Sequence, residues 1–257
     1  MNAVRLFDAL PLWAIFPITV ALALLSVEFG YRIARYRQRM SDEEKEAAVG
    51  GMVGATLGLF AFMLAFTFGF ASSRYQDRRQ IVLSEANAIG TTYLRAEMIP
   101  EPMRTETKRL LREYVDARLV AVKPGSLQEG VAKSEELQKS LWSLAVAATE
   151  KERSPLLSLF VQSLNQVIDL HAERVMAGVR SRVPSVIWIV LYLLAILSML
   201  MIGYQTGLAG ARRSIAVIAL ILGFSSVLVL IADLDRPGQG MLETSQEAMI
   251  DLRKSMN

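Results

Sequence analysis

The chain has 257 residues, 53% of them hydrophobic, and a net charge of +3. It carries no Cys and one His, which excludes disulfides, thiolate metal sites, a Cys nucleophile and a multi-His metal centre within one chain. So small a net charge at this length gives no sign of a nucleic-acid partner. The mean hydropathy of +0.34 averages two kinds of segment. Four apolar stretches alternate with strongly charged ones, the pattern of a multi-pass membrane protein with a soluble part.

In chain order, residues 1–11 are a short lead with one cation, Arg5. Residues 12–29 are the first span, with Pro11 and Pro17 near its start, where Pro disturbs a helix least. A basic run follows, with Arg32, Arg35, Arg37 and Arg39, and no small-residue cleavage site. The span is therefore read as uncleaved. Glu28, near its end, reaches the interface.

Residues 41–94 hold the helix around which the rest is organised. Ser41 and Glu44 form a capping-box pattern, so the helix starts in the polar stretch before the membrane. Residues 50–71 are 22 residues without a charge, enough to cross a hydrocarbon core of roughly 30 Å. Gly50, Gly54 and Gly58 recur every fourth residue, and Phe62, Phe66 and Phe70 continue the row. Such a row drifts by about 40° per step and makes a slanted ridge. Gly50 and Gly54 suit close helix packing. The rings either face lipid and neighbouring helices or narrow a pore, and periodicity alone separates neither. Beyond Ala71 come Arg74, Asp77, Arg78 and Arg79, then Ile81, Leu83, Ala86, Ile89 and Leu94 as a partly buried continuation. Glu85 and Asn87 lie among them and need partners if buried.

The Ile99-Pro100-Glu101-Pro102 break leads to a helix over about 103–122, with Leu110, Leu111, Tyr114, Val115 and Leu119 at helical spacing. Lys123-Pro124-Gly125-Ser126 signals a turn. A helix over about 127–151 follows, its apolar side carrying Leu137, Leu141, Trp142, Leu144 and Ala145. Ser154-Pro155 opens another, to about residue 183, with Leu157, Phe160, Val161, Leu164, Ile168, His171 and Val175 on one side. On such a side His171 reads as a satisfied core residue. Residues 185–204 and 214–232 are the third and fourth spans, and the tail ends in a short charged helix over 243–255. The expected architecture is an all-α membrane protein: four transmembrane helices with a helical soluble insertion between the second and third. Its divisions are a first transmembrane pair at 1–71, a soluble domain at 72–183, a second pair at 184–233 and a tail at 234–257.

The charge count leaves orientation open. Arg32, Arg35, Arg37, Arg39, Lys45, Arg212 and Arg213 make seven cations on one side. Arg5, Arg74, Arg78, Arg79, Arg174, Arg180, Arg182 and Arg236 make eight on the other. The short loops taken alone would place the soluble part outside.

Leu64-Ala65-Phe66, Arg74-Tyr75, Arg79 and Asn87 resemble the second-span region of bacterial bestrophins, where an aromatic neck residue precedes an Arg-aromatic pair. Ser84-Glu85-Ala86-Asn87-Ala88-Ile89-Gly90-Thr91, the run from Leu111 to Leu119, Leu141-Trp142 and the ending from Asp251 to Met256 resemble the bacterial membrane proteins with a bestrophin-like domain. The resemblance implies a bestrophin-like fold and a homo-oligomer, a pentamer, in a bacterial inner membrane with the soluble part in the cytoplasm. It also implies a pore lined by the second span, with Phe62, Phe66 and Phe70 at its neck. Gly58 falls at a neck position where bestrophins carry an apolar side chain, a departure that bears on the length of the constriction. The Asp233-Leu234-Asp235-Arg236-Pro237 segment resembles the bestrophin acidic segment only weakly, so no calcium clasp follows.

Two functions follow, of different classes. One is an ion channel, with inorganic ions and the lipid bilayer as partners. Arg74, Arg78 and Arg79 at its exit would raise the local anion concentration, or else anchor to headgroups or pair with Asp77 and Glu85. No acidic residue lies well inside spans two to four to ligate a cation. The other is a non-conducting scaffold whose helical domain binds a partner. An enzyme is not expected: no phosphate-cradling Gly loop is present, no cofactor is implied, and Glu85, Asp116 and His171 assemble into no catalytic site.

Overall fold

The computed structural model describes residues 11–40, 46–123, 125–151, 154–179, 182–210, 215–238 and 240–256. The capping pair Ser41 and Glu44, Pro124 of the turn, and the counted cations Arg5, Lys45, Arg180, Arg212 and Arg213 lie outside them. Every regular element among the described residues is helical: α1 (Leu12–Arg39), α2 (Glu46–Arg95), a 3-10 turn (Ala96–Met98), α3 (Met103–Val120), α4 (Leu127–Lys151), α5 (Pro155–Val179), α6 (Ser185–Leu208), α7 (Ile215–Asp235) and α8 (Glu247–Ser255). Four of them, α1, α2, α6 and α7, are long and apolar enough to cross a membrane. The chain separates into two compact units, residues 1–73 with 182–241 and residues 74–181 with 242–257.

The first unit holds α1, α6, α7 and residues 46–73 of α2. Its tightest seam lies between α1 and α6, where glycine lets backbones touch. A Cβ on Gly203 would sit 1.9 Å from the Val27 carbonyl oxygen, and one on Gly30 would sit 2.0 Å from that of Leu200. Gly207 meets Ala34 one turn further on. Small residues at this spacing are the usual solution where helices must approach without a hydrophobic driving force. Around the seam pack Ala23, Val49, Val53, Met199, Ile202 and Ile221, and the Phe60 and Phe224 rings lie 4.8 Å apart. Pro17 is accommodated near the start of α1, and Glu28 pairs with Arg32 one turn on, at 2.8 Å. Only 17%, 22%, 28% and 28% of the apolar windows of α1, α2, α6 and α7 are buried. Most of that surface therefore awaits lipid or another chain.

The second unit packs residues 74–95 of α2 with α3, α4, α5 and α8. Its core is Ile89, Leu111, Tyr114, Val115, Leu141, Ala145, Phe160 and Leu164, each at most 1% exposed. Ser154 caps α5, accepting the Leu156 amide at 3.2 Å, with Pro155 at the first helical position. Gly125 adopts φ +82° in the turn before α4. The C-terminal segment is tied in. Met249 and Met256 are buried, Arg112 Nε and the Tyr93 hydroxyl both donate to the Met256 carbonyl, and Arg253 pairs with Asp116.

Several expected boundaries shift. α3 stops at Val120 and the tail helix begins at Glu247, while α5 is described as far as Val179. Pro184, at φ −54° and ψ 137°, stands immediately before the first turn of α6. Leu83 and Leu94 are exposed instead of completing the apolar face of α2.

Candidate functional site

α2 presents two faces in the first unit. Val49, Val53, Phe60, Leu64, Thr67 and Ala71 are buried. Gly54, Gly58, Phe62 and Phe66 lie on the opposite, exposed side. Phe62 is 65% and Phe66 64% exposed, while Phe70 is half-buried. A Cβ on Gly54 or Gly58 would meet nothing within 4 Å, and one on Gly50 would meet only the Gln205 side chain, at 3.1 Å. Among the described residues, then, the Gly54–Phe66 part of the ridge is uncovered. Exposure of this degree recurs at Trp13, Leu25 and Ile215, so exposure alone does not distinguish lipid from a pore axis. Of the three arginines beyond the ridge, Arg79 is exposed, Arg74 half-buried and Arg78 buried. None of the three pairs with Glu85, whose ion-pair partners lie elsewhere.

Those partners define a second constellation, inside the helical unit. Glu85 is fully buried. Its Oε2 accepts from Arg174 Nη1. Its Oε1 accepts from the Tyr114 hydroxyl at 3.2 Å and lies 2.8 Å from Arg118 Nε. The Arg118 contact is an ion pair by distance but too poorly aligned for a hydrogen bond. Gln138 Nε2 donates to the Tyr114 oxygen at 3.2 Å, and Arg174 Nη2 donates to Gln246 Oε1 at 2.7 Å. His171 lies beside Tyr114, ring centroids 6.2 Å apart. Burial, then repulsion from Arg118, pushes its imidazole down to about 4. Burial likewise raises the Tyr114 phenol. His171 is buried as its apolar side implied, but it is not satisfied: neither ring nitrogen has a hydrogen-bond partner among the described residues. Asn87 needs none, being exposed.

Sequence reasoning flagged Glu85 as needing partners and missed who supplies them. The signal was an Arg at 118, four residues after Tyr114 and seven after Leu111, on an otherwise apolar stripe. Arg174, three after His171, lies one turn along the same face of α5. In the first unit, Asp235 accepts the Val183 amide at 2.7 Å. Asp233 is buried with its Oδ1 where a Cβ on Gly240 would be, 1.4 Å away.

Residues 20–249 match the family profile of the Bestrophin-like domain. The chain belongs to the Bestrophin-like domain family. Its fold is shared with solved structures. A variant of a bacterial bestrophin homolog from Klebsiella pneumoniae superposes with a TM-score of 0.68 at 12% identity, over 94% of this chain and 96% of that one. A structure described as a membrane protein gives 0.66 at 12% identity, over 94% and 96%. A second Klebsiella pneumoniae variant gives 0.61 at 12% identity, over 95% and 98%. No curated protein matches the sequence. At such identities the likeness concerns the fold of this Bestrophin-like chain. Its residues must carry any argument about activity.

Proposed function

We propose that this protein is a homo-oligomeric ion channel whose pore is lined by α2, with Phe62 and Phe66 as the narrow ring. The observation that carries the reading is the ridge on α2: Gly54, Gly58, Phe62 and Phe66 share one exposed stripe, and nothing among the described residues covers it. Family membership supports the channel class. A five-fold assembly would bring five copies of the Phe66 ring around one axis. Rings of apolar side chains at a constriction gate by excluding water. Gly50 and Gly54 then admit a neighbouring helix, Gly58 widens the neck where a side chain would narrow it, and Phe70 continues the row. Exposed Arg79, with Arg74, raises the local anion concentration beyond the neck, which favours anions modestly. Arg78, being buried, contributes less. In this reading the helical unit is an insertion between the second and third spans and lies in the cytoplasm of a bacterial cell, below the inner membrane.

The test is ion flux through purified protein in liposomes, with chloride and potassium gradients run separately and Phe66→Ala alongside. The expected result is selective flux whose magnitude or selectivity changes in Phe66→Ala. Absence of flux from folded, oligomeric protein across pH and calcium concentration would contradict the channel and favour a scaffold, whose helical unit binds a partner.

A further inference from the structure

The Glu85 cluster of the helical unit holds more positive than negative charge. Glu85, at 0% exposure, is the one carboxylate in the cluster among the described residues and stands between two guanidiniums, Arg118 at 3% and Arg174 at 12%. Counting formal charges leaves one positive charge in excess. An uncompensated buried charge is costly, and so is a buried polar atom without a partner. Both occur here. Among the described residues Arg118 donates no hydrogen bond, its buried Nε only approaching Glu85 out of line, and both nitrogens of His171, 5% exposed, lack partners. Gln138 and Tyr114, which close the cluster from α4 and α3, are neutral and already hydrogen-bonded to each other. Asp169 and Glu173, the acids flanking His171 on α5, are exposed.

We infer that the helical unit binds one small monovalent anion, of halide size, against the Arg118 guanidinium and the His171 ring. A bridging water would satisfy the imidazole but leave the charge. A halide supplies the missing charge and accepts hydrogen bonds from both side chains. Monovalency follows from the single excess charge. Small size follows from the near-complete burial of Glu85, Tyr114, Arg118 and His171. The site goes beyond the proposed pore: it lies within the helical unit and involves no residue of the phenylalanine ridge.

Anion binding is linked to the His171 proton. Without the anion, burial and the neighbouring Arg118 and Arg174 hold the ring neutral, against the opposing Glu85. A negative charge beside the ring favours the imidazolium, so binding raises its pKa above about 4, and affinity rises as pH falls toward that value.

The chain's single histidine makes the test direct. Full-length protein carrying ring-labelled histidine is titrated by NMR with sodium chloride, sodium bromide or sodium gluconate at fixed ionic strength. The expected result is a saturable shift of the imidazole resonance with both halides and none with gluconate. Arg118→Gln, which leaves Glu85 paired one-to-one with Arg174, should lose it. No halide-specific shift, or a response equal to that with gluconate, would overturn the site, as would an unaltered shift in folded Arg118→Gln protein. If that variant does not fold, the halide-against-gluconate comparison on the unaltered chain decides alone. The readout requires no conduction, so a non-conducting protein would still show it.

Discussion

Single residues separate glycines that hold the chain together from glycines held open. Gly203 and Gly207 form a small-xxx-small pair whose backbone touches α1, and Gly30 answers it from the other helix. Gly203→Val would force the α1–α6 seam apart, at a cost of about 1–3 kcal/mol or more. It should lower the thermal unfolding midpoint of detergent-solubilised protein. Gly54→Ala meets nothing within 4 Å in one chain and should leave that midpoint unchanged. Its effect, if copies pack there, appears as a weaker oligomer in size-exclusion light scattering. The sequence drew attention to the row at Gly50, Gly54 and Gly58 because it is longer and sits beside the phenylalanines. Spacing marks where close approach is permitted; it does not name the partner helix. Glu85→Gln makes the opposite kind of change. It leaves two buried guanidiniums without their carboxylate, a loss of about 3–5 kcal/mol, measurable as a lower unfolding midpoint.

Among the elements, α2 and α5 show what periodicity carries and what it omits. The 22 uncharged residues of α2 and the charged run after them were legible as a span continuing into polar surroundings, and the helix is unbroken over 50 residues. The apolar side of α5 was legible too, His171 included. What periodicity omits is whether a buried polar atom finds a partner, because that depends on helices remote in sequence: Glu85, Arg118 and His171 meet only after α2, α3 and α5 have packed. A pH dependence follows from that meeting. The unfolded chain binds a proton at His171 below about pH 6.5, whereas the folded chain at low chloride binds it only near 4. Stability from this group is therefore complete above pH 6.5 and is lost as pH falls toward 4, by at most about 3 kcal/mol at roughly 1.36 kcal/mol per pH unit. Thermal unfolding at low chloride should show a decline over that window in the unaltered chain and a flatter profile in His171→Gln.

For the whole molecule, the four apolar helices and the Bestrophin-like family were within reach of sequence. They follow from hydropathy and from motifs such as the Ser84–Thr91 run, each local in the chain. The C-terminal docking of Met249 and Met256 was not, since a nine-residue charged helix carries too few apolar positions to announce where it lands. Nor does one chain reveal what covers the α2 ridge, because lipid and a water-filled axis can both face an apolar side chain. The absence of cysteine offers a direct way to decide. Phe66→Cys introduces the only thiol, and its reaction with a charged, water-soluble methanethiosulfonate can be followed during flux from liposomes. The pore account predicts modification from the aqueous phase together with a change in flux. A thiol that resists this reagent, yet is labelled by a lipid-soluble maleimide with flux unaltered, would place Phe66 against lipid and contradict it.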